Sequence, residues 1–110
     1  MKNRALITVF ALLLGVGSCA GVLMWLRQHK IKAIFARATS EGLSQRDLEI
    51  KLGDPWRNST CGAVFGGNTP SDCARELIYK SPLAPAVPEY WAFRFGRSGK
   101  LVDKYHYVSP

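Results

Sequence analysis

The chain has 110 residues, enough for one small domain. Hydrophobic residues make up 47 %, which excludes a disordered tail or a coiled-coil rod, although one N-terminal stretch supplies much of that share. The formal net charge is +7, and from Arg27 onward thirteen basic residues stand against eight acidic ones. That excess is moderate and no aromatics are interleaved with the basic residues, so a nucleic-acid partner is not expected.

From Ala5 to Leu26 no residue is charged. As a helix rising about 1.5 Å per residue this run spans roughly 33 Å, close to the hydrocarbon thickness of a bilayer. Trp25 sits near the exit, where an indole suits the interfacial layer, and Arg27 marks the return to water. Residues 1–26 are therefore read as a membrane anchor, because the rest of the chain is too short to wrap a helix that is apolar all round. The basic Lys2-Asn3-Arg4 start is also how a secretory signal begins, but no Ala-x-Ala site follows a short apolar region. Val16-Gly17-Ser18-Cys19 resembles a lipobox, which makes Cys19 a candidate for lipidation. The apolar continuation from Ala20 to Leu26 instead suits the second half of a spanning helix.

Residues 27–39 form a basic juxtamembrane helix in this reading. Ile31, Ile34, Phe35 and Ala38 recur at helical spacing, and Arg27, Lys30, Lys32 and Arg37 occupy much of the remaining circumference. These four are the candidate contacts to anionic lipid, each contributing about 1 kcal/mol near a charged surface. The alternative is a solvated face that keeps the helix from slipping inward.

Orientation sets two arguments against each other. Four basic residues without an acid after the anchor favour a cytoplasmic domain by the positive-inside rule. Cys61 and Cys73, an even pair in a small domain, read as a disulfide and favour an extracytoplasmic one. The expectation adopted is a single-pass protein with its domain outside the cytoplasm. Two reduced buried thiols remain the alternative.

Residues 40–110 read as one small α+β domain. Ser44 is placed to cap a helix from about Gln45 to Leu52, with Leu43 and Leu48 at the two ends of a hydrophobic staple. Gly53 supplies the C-terminal turn and Pro55 prevents continuation. The periodicity then alternates, giving strands at Glu76–Ser81, Tyr90–Phe95 and Leu101–Val108, with Gly96 to Lys100 as a hairpin loop. In the second strand Trp91, Phe93 and Phe95 share the core face, and Tyr90, Ala92 and Arg94 turn away. Trp56 to Arg75 has a poor strand signal, admitting one short strand near Trp56 to Thr60, and Gly62 to Asn68 reads as a mobile loop. Pro82, Pro85 and Pro88 stiffen the connector from Ser81 to Glu89. Tyr105 and Tyr107 share one face of the last strand, and the readings weighed for them are small-core residues or an exposed binding patch.

No metal spacing is present, since His29 and His106 lie at no ligand distance from a cysteine in sequence and Cys61-x11-Cys73 lacks CxxC half-sites. No cofactor, small-molecule substrate or catalytic residue is expected. A cysteine nucleophile with His106 as its base is the remote enzymatic alternative.

The run Gly42-Leu43-Ser44-x-x-Asp47-Leu48-x-x-x-Leu52-Gly53-x-Pro55, followed by the aromatic strand Tyr90 to Phe95, the turn at Gly99 and a final strand opening Leu101-Val102, resembles the SmpA/OmlA (BamE-like) domain family of bacterial envelope proteins. The resemblance covers about Ser40 to Val108. It implies two helices packed on one face of a three-stranded antiparallel sheet and a non-catalytic role in contact with partner proteins and anionic lipid. The spanning anchor departs from the family's lipoprotein start, and the segment from Cys61 to Cys73 is not one of its hallmarks. The resulting expectation is a protein of the bacterial inner membrane with a periplasmic domain that binds a protein or the membrane surface. A lipoprotein subunit of an outer-membrane assembly complex, anchored through Cys19, is the alternative.

Overall fold

Absence of charge and of proline from Ala5 to Leu26 lets one helix run uninterrupted, and it does not stop at the first basic residue. The computed structural model describes residues 2–38, 42–83, 86 and 88–109. In it α1 spans Lys2–Arg37, 36 residues, passing without a break from the apolar run into the basic segment. Residues 3–26 are exposed along their whole length, and the helix is long and apolar enough to cross a membrane, a property that a signal sequence shares.

The second helix follows its capping residues. α2 spans Gln45–Leu52, and the Ser44 hydroxyl accepts from the Asp47 backbone N–H at 3.1 Å. At the other end Gly53 has φ +75°, and its N–H donates to the Glu49 carbonyl. Leu48 and Leu52 are buried on the face that meets the sheet.

The sheet has four antiparallel strands in sequential order, where three were expected: β1 Arg57–Ser59, β2 Cys73–Lys80, β3 Glu89–Gly96 and β4 Leu101–Val108. β1 escapes a periodicity test because it has three polar residues; pairing with β2 makes it a strand. Pro85 and the boundary at residues 39–40 lie outside the described residues.

One face of the sheet carries the core. Leu77, Tyr79, Trp91, Phe93, Phe95 and Leu101 pack with Leu43, Leu48 and Leu52, with Ile31 of α1 and with Ala38 just beyond its end. Phe35 meets Phe93 edge-on at 5.5 Å between centroids. Burying one such side chain stabilises by about 1.5–3 kcal/mol, against about 0.5–1.5 for a typical hydrogen bond, so packing dominates the attachment of α1 to the domain.

The opposite face is covered too, by residues 60–72. Tyr90, Ala92 and Arg94 do turn away from the helices, as the alternation predicts, but Ala92 and Arg94 are buried. The glycine-rich segment lies over them, with Phe65 stacked on Tyr107 at 4.4 Å and Arg94 reaching its backbone carbonyls.

Candidate functional site

The basic juxtamembrane residues divide into two kinds. Arg27 turns back onto the domain, its Nη2 donating to the Leu52 carbonyl at the end of α2, where a cation complements the helix dipole. Beside it the Tyr79 hydroxyl donates to the Gly53 carbonyl at 2.8 Å. Burial, followed by the nearby Glu49 carboxylate, pushes the Tyr79 phenol up to about 12, with Arg27 opposing and Asp54 adding to the rise. Lys30, Lys32 and Arg37 are exposed, which leaves three of the four candidate lipid contacts facing solvent. One residue further on, Gln28 is buried and accepts from the Ser81 hydroxyl, which itself accepts from the Leu83 N–H at 3.1 Å.

Cys61 and Cys73 are joined in a disulfide with their Cα atoms 6.2 Å apart. It closes the covering segment at the end of the sheet where Cys73 pairs with Gly96. Neither sulfur is a thiolate in that state, and His106 pairs with Trp91 towards the other end of β3. The structure therefore does not bring Cys61 and His106 together as nucleophile and base. His106 instead holds Glu89, Nε2 to Oε1 at 2.6 Å, and stacks on Trp91 at 5.7 Å. Cys19 is a free, exposed cysteine within the apolar part of α1.

A row of charges crosses the covered face. Glu76 on β2, Arg94 on β3 and Asp103 on β4 are register partners. Arg94 Nε donates to Glu76 Oε1 at 2.7 Å and Nη1 to Asp103 Oδ2 at 2.9 Å. The same guanidinium donates to the carbonyls of Asn68 at 3.3 Å and Gly66 at 3.4 Å. Burial disfavours the Arg94 charge, but the hydrogen bonds to Glu76 and Asp103 outweigh it and raise its pKa above the ordinary arginine value. The row was missed in the sequence because its members are far apart along the chain and only the register unites them. Its chemistry is structural: a planar fork that holds two strands and a loop at once.

Around the row lies an aromatic cluster. Phe65 contacts Tyr90, Tyr105 and Tyr107 with centroids 4.4–6.4 Å apart, and Trp56 meets Tyr90 at 5.1 Å. Tyr105 and Trp56 are each 41 % exposed, so the cluster reaches solvent at two places. The terminal tyrosines are thus in neither the helix-side core nor a bare patch. Among the described residues no group of His, Cys, Asp and Glu could hold a metal ion.

Compared with known proteins, the chain matches no protein-family model, no curated protein and no solved structure.

Proposed function

We propose that the chain is a non-catalytic, single-pass membrane protein of the bacterial cell envelope whose α+β domain is an adaptor, displayed at a fixed height on the periplasmic face of the inner membrane. The observation that carries this reading is the double use of α1, exposed and apolar from Ala5 to Leu26 and then packed into the domain through Ile31 and Phe35. A flexible leash would leave the domain free to tumble. A helix shared between bilayer and core fixes its orientation, which suits presenting one surface to a protein partner or to the membrane.

The disulfide supports placement outside the cytoplasm, since such bonds persist in oxidising compartments. The SmpA/OmlA-like reading belongs to the same proposal and rests on the capped α2, its Leu-Gly-x-Pro ending and the aromatic strand β3.

Alkaline extraction of native membranes followed by intact-mass measurement tests the proposal. Full-length protein in the membrane pellet is the expected result. Recovery in the aqueous fraction at full length overturns it, and a mass lacking the first eighteen residues with acyl chains added identifies a lipoprotein anchored at Cys19 instead.

A further inference from the structure

The chain's return from the apolar helix fixes which end of the domain lies nearest to it. Arg27, the first charge after Leu26, donates to the Leu52 carbonyl, and Gln28 accepts from Ser81 just beyond β2. The ends of α2 and β2 are therefore level with the helix exit. β3 begins and β4 ends at this level as well, because Lys80 pairs with Tyr90 and Tyr90 with Tyr107. The far end of the domain is the Gly96 to Lys100 hairpin, where the Gln45 N–H donates to the Gly99 carbonyl.

Between α2 and β1 the chain crosses this near end and sets Trp56 against Tyr90. Trp56 is 41 % exposed and has two cations close to its ring, the Arg57 guanidinium carbon 4.9 Å and the Lys80 ammonium 5.8 Å from the centroid. Val108, 55 % exposed, ends β4 on the same rim; its register partner Glu89 is buried and engaged with His106, and Asp54 is an exposed acid in the turn before β1. The headgroup layer of a bilayer is about 5–8 Å deep on each side, and Gln28 is only about 3 Å of helix rise beyond Leu26.

We propose that this rim, built on Trp56, Arg57 and Lys80, rests in the headgroup layer of the bilayer that α1 crosses, with anionic phospholipid as its partner. The inference rests on the membrane-anchor reading and gives the domain a second point of attachment. An indole with its polar edge towards water and its ring towards acyl chains suits that layer, and the two nearby cations supply charge complementarity. The rim differs from the juxtamembrane residues singled out in the sequence, of which Arg27 is engaged in closing α2.

The test uses the full chain in vesicles of phosphatidylcholine and phosphatidylglycerol with bromine on the upper acyl chains, comparing wild type with Trp25→Phe and Trp56→Phe. Trp91, 2 % exposed in the core, gives an unquenched background. Both substitutions are expected to remove a quenched component. Charge reversal by Arg57→Glu with Lys80→Glu, or omission of phosphatidylglycerol, is expected to cut the Trp56 component by about a factor of two. Quenching of Trp25 with none of Trp56 overturns the rim contact and leaves the anchor standing. Absence of Trp25 quenching overturns the anchor itself and the inference with it. A Trp56 component indifferent to charge reversal and to lipid charge overturns the assignment of anionic lipid.

Discussion

Arg94 Nε lies 2.7 Å from Glu76 Oε1, and the two side chains are 2 % and 0 % exposed. A guanidinium so placed joins the middle of the sheet to the loop that covers it, because its other donors reach Asp103, Asn68 and Gly66. Removing one partner of a buried pair leaves the other charge uncompensated, which costs about 3–5 kcal/mol. Arg94→Met is therefore expected to destabilise the domain by that order in denaturant unfolding of the full chain in micelles. Arg94→Lys keeps the charge without the planar fork and should recover only part of the loss.

The disulfide acts on the same loop from its end. Replacing Cys61 and Cys73 together by Ser removes the cross-link across a separation of 12 residues, with an expected loss of about 3 kcal/mol. Phe65 should also leave Tyr107, which near-ultraviolet circular dichroism of the aromatic band reads directly. An unchanged midpoint and an unchanged aromatic band would show that Arg94 alone holds the segment.

Tyr79 gives an alkaline signature. Its phenol titrates at about 12 in the folded chain against 10.0 for the free group, burial being the largest cause. The unfolded state thus loses its proton first as pH rises, so this contribution is complete below pH 10 and disappears as pH passes from about 10 to 12. Tyr79→Phe should flatten stability across that window relative to wild type. At neutral pH the variant should lose about 0.5–1.5 kcal/mol through the missing bond to Gly53.

At Gly53 the cost of a side chain can be separated from crowding. A Cβ there would meet nothing within 4 Å, so only φ +75° opposes substitution. With ψ at −155° the residue occupies a region open essentially to Gly alone, so Gly53→Ala and Gly53→Asn are both expected to destabilise, by about 1–3 kcal/mol. An unfolding midpoint for Gly53→Ala equal to that of the wild type would contradict a backbone origin.

Local signals in the sequence carried much of the fold. Ser44, Gly53 and Pro55 delimit α2 by chemistry that acts within one turn, and its observed bounds, Gln45–Leu52, agree with that reading. Alternation found β2, β3 and β4 to within three residues at each end, β2 beginning at Cys73 and not Glu76 because bulged pairing with β3 extends it. What stayed hidden depends on register. Alternation turns Arg94 away from the core face, but nothing near it in sequence announces Glu76, Asp103 or the carbonyls of a glycine-rich loop. Arg27 looked like one more membrane-side cation because its partner, Leu52, is set by the packing of two helices.

The central claim is that one continuous helix serves as membrane anchor and as core element. Hydrogen exchange of the full chain in bilayer nanodiscs tests it most directly, amide by amide from Val22 to Arg37. The account predicts unbroken slow exchange through Leu26, Arg27 and Gln28, where bilayer and domain meet. Exchange there at the rate of an unstructured peptide, between two protected stretches, would contradict it by showing a hinge in place of a shared helix.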